Sequence, residues 1–224
     1  AVSGVMQVNY CLNGRMGWIM QGGRSIYLGQ GDVSFHMMDC CTVSGITLPL
    51  GHYSGIALFT DLNELAQHLP ETLNIPDENL PAWAEKFCRG GEVTVWPGAA
   101  EIADMFALLP RVKSEYRQAY FKLKAQEILL FLAVYGVPHL KTAESCEERY
   151  MEIIKKIHAK ITGSWQAHYT IEQLAREHSI NASVLKKVFK MVYGKPMAQY
   201  MKEYRMRKAA ALLVAGSSSV AEIA

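Results

Sequence analysis

The hydrophobic period changes once along this chain, near Asp61, and that change bounds what it can fold into. Before it, apolar residues come in short runs separated by turn dipeptides; after it, they recur at helical spacing. Val5 to Leu12 reads as a strand, followed by Asn13-Gly14, a pair suited to the positive φ angles of a type I′ hairpin turn. Arg15 to Gln21 returns and meets a second turn at Gly22-Gly23. Ser25 to Leu28, the turn Gly29-Gln30-Gly31-Asp32 and Val33 to Met38 follow, with further strands predicted at Cys41 to Leu48 and His52 to Phe59. Short strands at this spacing predict a small antiparallel barrel or sandwich.

Beyond the change, Asp61 is placed to cap a helix running through Gln67, and a second helix is expected from Pro81 to Gly90-Gly91. Pro97 opens a third that closes before Pro110. Val112 to Tyr135 predicts a long helix whose first half is basic and polar and whose second half is apolar nearly all round. Such breadth needs more than one packing partner. Residues 112–135 are therefore the candidate contact of a homodimer, or else a helix buried under the barrel. Lys141 to Cys146 reads as a polar linker, with Ser145 capping a helix from Glu147 to Ile161. The whole is an α+β chain.

The last third carries the sharpest pattern. Thr170-Ile171-Glu172-Gln173 has the form of a capping box, each end residue bonding the other's backbone N–H. Ile171, Leu174 and Ala175 share one face of a short helix that ends near His178. Ser179-Ile180-Asn181 is a tight connector, and Asn181 is a good N-cap for the next helix. On that helix Val184, Leu185, Val188 and Phe189 face inward, whereas Ser183, Lys186, Lys187 and Lys190 face outward. Pattern alone describes a helix-turn-helix or a plain helical hairpin. Residues 163–224 hold nine Lys/Arg against four acids, while the rest of the chain holds 14 basic and 17 acidic groups. That asymmetry suits nucleic acid, and equally an ordinary solvated surface.

Other function classes find little support. Charges interrupt every apolar stretch before the ~20 residues a membrane span requires, and residues 1–5 lack a signal-peptide pattern. Five cysteines without a C-x-x-C pair read as reduced thiols, hence a cytoplasmic protein with no membrane partner. No P-loop, G-x-G-x-x-G or Ser-His-Asp pattern occurs, so no enzyme activity and no cofactor is expected. His36 and His52 lack the H-x-H and downstream Glu of a metal-binding barrel, so no metal site is assigned. A metal or haem sensor built from His36 with Cys40 or Cys41 is the lesser alternative. Tyr10, Trp18, Tyr27, Phe35, His36 and Tyr53 are candidates for an effector pocket; most of the aromatics serve equally well as core.

The run from Tyr169 to Leu213 resembles the first half of the DNA-binding region of AraC/XylS transcription regulators. The likeness is carried by Ile171, Leu174, Ala175, Ser183, Leu185, Phe189, Lys190, Gly194, Tyr200, Arg205, Ala209, Leu212 and Leu213. Ser219 to Ala224 is similar to the opening of the family's second helix-turn-helix, inside which the chain stops. Ser179 stands where the family often has Gly, which implies a strained or alternative turn geometry, and Lys187 where Arg is common. Tyr27-Leu28-Gly29-Gln30-Gly31-Asp32 and Leu48 to Ile56 are similar to the cupin-like sensor barrel of the pyochelin-regulator-like branch. The resemblance implies a sensor and dimerisation domain over 1–140 and a DNA-binding domain over 147–224. It also implies an effector of small size, promoter DNA as partner, and base or phosphate contacts through Asn181, Ser183, Lys186, Lys187 and Lys190. The competing expectation is a cupin-type small-molecule-binding protein or metalloenzyme with a helical interaction tail.

Overall fold

Val5–Met20 forms one strand of 16 residues where two strands and a hairpin are expected. In the computed structural model, which describes residues 4–39, 43–71, 73, 75, 80, 82–88, 92–137 and 140–216, Asn13-Gly14 lies inside this strand, β1. The pair forms an irregularity: the register against the partner strand shifts between Cys11 and Asn13. Gly14 still has the positive φ its sequence context predicts, 79°. It uses that freedom to bulge and not to reverse, and the Arg15 amide donates to the His52 carbonyl at 3.2 Å. Gly14 alone of the pair takes the positive φ that a type I′ turn asks of both residues, and long-range pairing decided what that conformation was for.

The chain divides into two compact units, Ala1–Gly22 with Ile26–Ser145 and Gly23–Ser25 with Cys146–Ala224. In the first, β1 is the hub of a curled antiparallel sheet. Its neighbours are β2 (Arg24–Gly29), β3 (Val33–Met37), β4 (Val43–Thr47) and β5 (Tyr53–Asp61), and the sheet extends from β3 to β6 (Thr94–Trp96) and β7 (Lys141–Thr142). The first half of β1 runs between β3 and β5, with His36 opposite Gln7 and Gln7 opposite Phe59. Its second half pairs with β4, where Trp18 meets Ile46. The segment read as a polar linker is in part strand: β7 pairs with β6, and β8 (Ser145–Glu147) buries Cys146. β6 was not expected, since three residues are too few to show a period.

Strand alternation separates the two faces. Met6, Val8, Tyr10, Val33, Phe35 and Met37 point to one face and form a core with α1 (Leu62–Gln67), α2 (Ala82–Cys88), α3 (Ala100–Phe106) and α4 (Ser114–Val134). Asp61 caps α1 as expected, its Oδ1 accepting from the Asn63 and Glu64 amides at 3.0 and 3.1 Å. α3 begins at Ala100, later than Pro97 suggested, with Gly98 at a φ of 63° just before it. The α2 end is tied to the sheet by Thr94, whose hydroxyl donates to the Phe87 carbonyl. Each large apolar side chain fully buried in such a core contributes roughly 1.5–3 kcal/mol.

The second unit holds α5 (Glu148–Gly163), α6 (Ile171–Glu177), α7 (Ala182–Tyr193) and α8 (Met197–Val214). α5 has Glu147 at its N-cap position with no side-chain cap bond, and Ser145, expected to cap it, lies in β8 instead. Its buried residues Met151, Ile154, Ile157 and Ile161 fall on one stripe at helical spacing. Ser219 to Ala224, the opening of the expected second motif, lies outside the described residues, as do Cys40 and Cys41.

Candidate functional site

The capping box closes as the sequence predicts. The Thr170 hydroxyl accepts from the Gln173 amide at 3.1 Å, and the Gln173 side chain accepts from the Thr170 amide at 2.9 Å. α6 buries Leu174 and Ala175, and the chain then turns at Ser179, which stands at a φ of 53°. This is the left-handed conformation that the Ser-for-Gly departure foreshadowed. The Ile180 amide returns to the Ala175 carbonyl at 2.9 Å, holding the turn shut. Asn181 caps α7, its Oδ1 accepting from the Ser183 amide at 2.7 Å. Gly194 ends that helix in the left-handed region.

α7 is anchored from within. Leu185, Val188, Phe189, Val192 and Tyr193 are buried. His158 of α5 stacks on Tyr193 with ring centroids 4.5 Å apart, and its Nε2 lies 2.7 Å from the Tyr200 hydroxyl of α8. Phe189 meets Tyr193 at 4.6 Å and the edge of Tyr200 at 5.6 Å. Burial pushes the His158 imidazole below its ordinary range, so the ring is neutral at pH 7. Arg205 serves the same scaffold: it donates to the carbonyls of Trp165 and Ala167 at 2.8 and 3.0 Å, fixing the loop that leads into α6. Lys160 pairs with Glu177, tying α5 to α6 at 2.6 Å.

With the inner face so occupied, Asn181, Ser183, Lys186, Lys187 and Lys190 are all exposed. The last four follow helical spacing along one side of α7, and the helix contains no acid. Asn181 has its carbonyl oxygen engaged in the cap, so its amide nitrogen is the group left to face outward. The five residues therefore share one end and one side of a rigid, capped helix.

The six pocket candidates divide between the two faces of the sheet. Tyr10 stacks on Phe106 at 5.3 Å and Phe35 on Phe87 at 5.4 Å, both in the core beneath the helices. The Tyr27 ring is buried and lies 5.7 Å from the Arg15 guanidinium carbon. Trp18 and Tyr53 belong to the opposite face with Cys11, Ile26, Leu28, Val93 and Val95. His36 joins them there, with Trp18 at 6.1 Å in an edge arrangement. Sequence reading missed the polar groups of that face. The Gln7 amide donates to Asn9 at 2.7 Å, and the Asn9 amide donates to Ser34 at 3.2 Å. The signal was available as alternation: Gln7 and Asn9, then Ser34 and His36, are polar at every second position of strands otherwise apolar. His36 Nδ1 is buried without a hydrogen-bond partner among the described residues, an omission that costs roughly 1–3 kcal/mol.

Among the described residues, no group of three or more His, Cys, Asp or Glu side chains is arranged to hold a metal, and no helix is long and apolar enough to cross a membrane. Cys11, Cys88 and Cys146 are buried and outside any disulfide. Burial first, then Asp32, pushes Cys11 up to about 11; burial, then Glu147, does the same for Cys146. Neither is poised as a nucleophile.

No protein-family model matches the sequence, and no curated protein matches it. Among solved structures the chain is similar to the AraC-like transcriptional activator CuxR, at 16% identity and a TM-score of 0.35 over 94% of this chain and 69% of that one. It is also similar to an apo ToxT variant from Vibrio cholerae strain SCE256, at 12% identity and a TM-score of 0.33 over 97% of this chain and 78% of that one. Unsaturated fatty acid bound wild-type ToxT from the same strain superposes at 11% identity and 0.32, over 98% and 76% of the two chains. Overlays this loose leave the functional reading to the residues themselves.

Proposed function

We propose that this chain is a cytoplasmic transcription regulator of the AraC/XylS type, in which α6 and α7 read promoter DNA and the sheet unit senses a small-molecule effector. The observation that carries the reading is α7: a helix capped at both ends, anchored by Phe189 and Tyr193, and presenting Ser183, Lys186, Lys187 and Lys190 outward with no acid among them. A DNA-reading helix needs a rigid inner face and donors on its outer one. Ser183, Lys186 and Lys187 would meet base edges, with the Asn181 amide at the helix start and Lys190 on phosphate. Lysine offers a single point of donation, so discrimination at each base would be looser than an arginine fork gives.

The dimer reading rests on α4. Its apolar breadth resolves into two faces: Ile128, Leu129 and Leu132 are buried, while Tyr116, Leu123, Leu130 and Val134 are exposed. These four, out of an exposed set that also includes Phe121, recur at seven-residue and then four-residue spacing, the pattern of a two-helix coiled-coil seam. A homodimer through residues 112–135 would pair two DNA-reading helices on one promoter.

The test is titration of a promoter duplex at several salt concentrations. Each phosphate neutralised contributes about −0.9 to the slope of log affinity against log salt. Lys190→Ala is expected to reduce that slope by about one contact, and a flat salt response or an unchanged slope removes α7 from the interface.

A further inference from the structure

Rows of opposed residues across β3, β1 and β5 place His36, Gln7 and Phe59 side by side, and Ser34, Asn9 and Ala57 in the next row, on the sheet face turned away from α1–α4. Trp18 and its partner Ile46 lie on the same face where β1 continues. The floor of this face is polar and satisfied except at one atom. Gln7, Asn9 and Ser34 bond one another, whereas His36, 8% exposed, leaves Nδ1 without a partner among the described residues. The rim is the reverse: Phe59 is 56% exposed and Ile46 63% exposed. Phe59 stands in the same cross-strand row as His36 with Gln7 between them, and Ile46 faces Trp18, whose ring centroid lies 6.1 Å from that of His36; an apolar wall and a fixed polar contact are the two halves of a binding site.

We propose that this face binds a small uncharged molecule with an apolar, ring-sized body and a hydroxyl group, the hydroxyl seated on His36 Nδ1 and the body against Trp18, Phe59 and Ile46. The inference rests on the sensor role proposed for this unit and supplies the ligand class. The hydroxyl follows from the imidazole's chemistry. Burial holds the ring neutral, so Nδ1 is a donor in one tautomer and an acceptor in the other. A hydroxyl serves either one. A carboxylate does not, because the strip Gln7, Asn9, Ser34, His36 offers no cationic side chain to offset its charge. An alkane or bare ring leaves Nδ1 unsatisfied.

Three probes of one size separate these cases: naphthol, naphthalene and naphthoate, titrated calorimetrically into the whole chain. Naphthol is expected to bind, naphthalene about tenfold or more weakly, and naphthoate not measurably. His36→Phe should bring naphthol down to the naphthalene level, and Phe59→Ser, at an exposed rim position, should weaken both together. Equal binding of naphthol and naphthalene to the unmodified chain, no naphthol binding, or a preference for naphthoate each overturns the assignment. Should His36→Phe fail to fold, the probe ranking on the unmodified chain and the Phe59→Ser shift still decide it. A promoter titration on the same preparation keeps the two readings apart. Probe selectivity without DNA binding removes the regulator and leaves the site, and DNA binding without selectivity does the opposite.

Discussion

Lys187 and Phe189 sit two positions apart on α7 and should fail in different ways. Lys187 is exposed, so Lys187→Ala is expected to leave the thermal midpoint within about a degree or two of the parent. At a promoter site it should cost about 1–3 kcal/mol if it touches a base, read by footprinting titration. Phe189 is fully buried between Tyr193 and Tyr200. Removing its ring leaves a cavity that α5 and α8 cannot close, so Phe189→Ala should lose roughly 3–5 kcal/mol in urea unfolding. A Lys187→Ala variant that unfolds early, or a Phe189→Ala variant that does not, would reverse the two faces of the helix. Both assignments were legible in the sequence, because a 3.6-residue period states which side of a helix is dry. His36 was not legible in the same way. Its residue type is visible, but whether its ring nitrogen has a partner depends on strands brought together from far apart.

Elements differ in how much their own residues decide. α6 and α7 carry their stop and start signals within a few positions, and both caps close as expected. β1 does not. Gly14 looks like a turn, yet β5 holds it inside a strand, where an added Cβ would lie 2.3 Å from the His52 carbonyl oxygen. Gly14→Ala therefore meets both a forbidden backbone region and a fixed backbone atom, and is expected to destabilise the sheet unit by more than about 1 kcal/mol. A neutral effect in chemical unfolding would mean the bulge is soft. α4 is a third case, since its exposed stripe would be dry only in the homodimer proposed above. Leu130 is 39% exposed in the single chain, so Leu130→Glu can be solvated there. In a dimer seam it would bury an unpaired charge, a loss of several kcal/mol. Light scattering should show a folded monomer for Leu130→Glu and a dimer for the parent; a parent that stays monomeric at high concentration refutes the coiled-coil seam.

Among the described residues, each unit buries an imidazole whose protonation is opposed by its surroundings, His36 in the sheet unit and His158 in the helical one. Their native affinities for protons are lowered, so above the unfolded value of about 6.5 neither state binds the proton and stability is whole. Below it the unfolded chain takes up protons that the native rings resist, and stability declines until the lowered native value is passed. Urea midpoints should therefore fall as the pH drops below about 6.5, and His158→Gln should flatten the fall for the helical unit. A midpoint that rises on acidification contradicts the burial of both rings. The sequence by itself determined what is local: the change of period near Asp61, the capped helix pair, the basic outer face of α7 and the positive φ of Gly14. These depend on neighbours within a turn or two of backbone, where sterics and side-chain bonds are settled before the chain folds further. Tertiary structure decided that Asn13-Gly14 bulges, that Tyr10 and Phe35 part company with Trp18 and His36, and that Ser145 pairs in a strand. Each of those outcomes turns on register between residues far apart in the chain. A one-residue slip exchanges the two faces of a strand, and only the packed sheet selects between them.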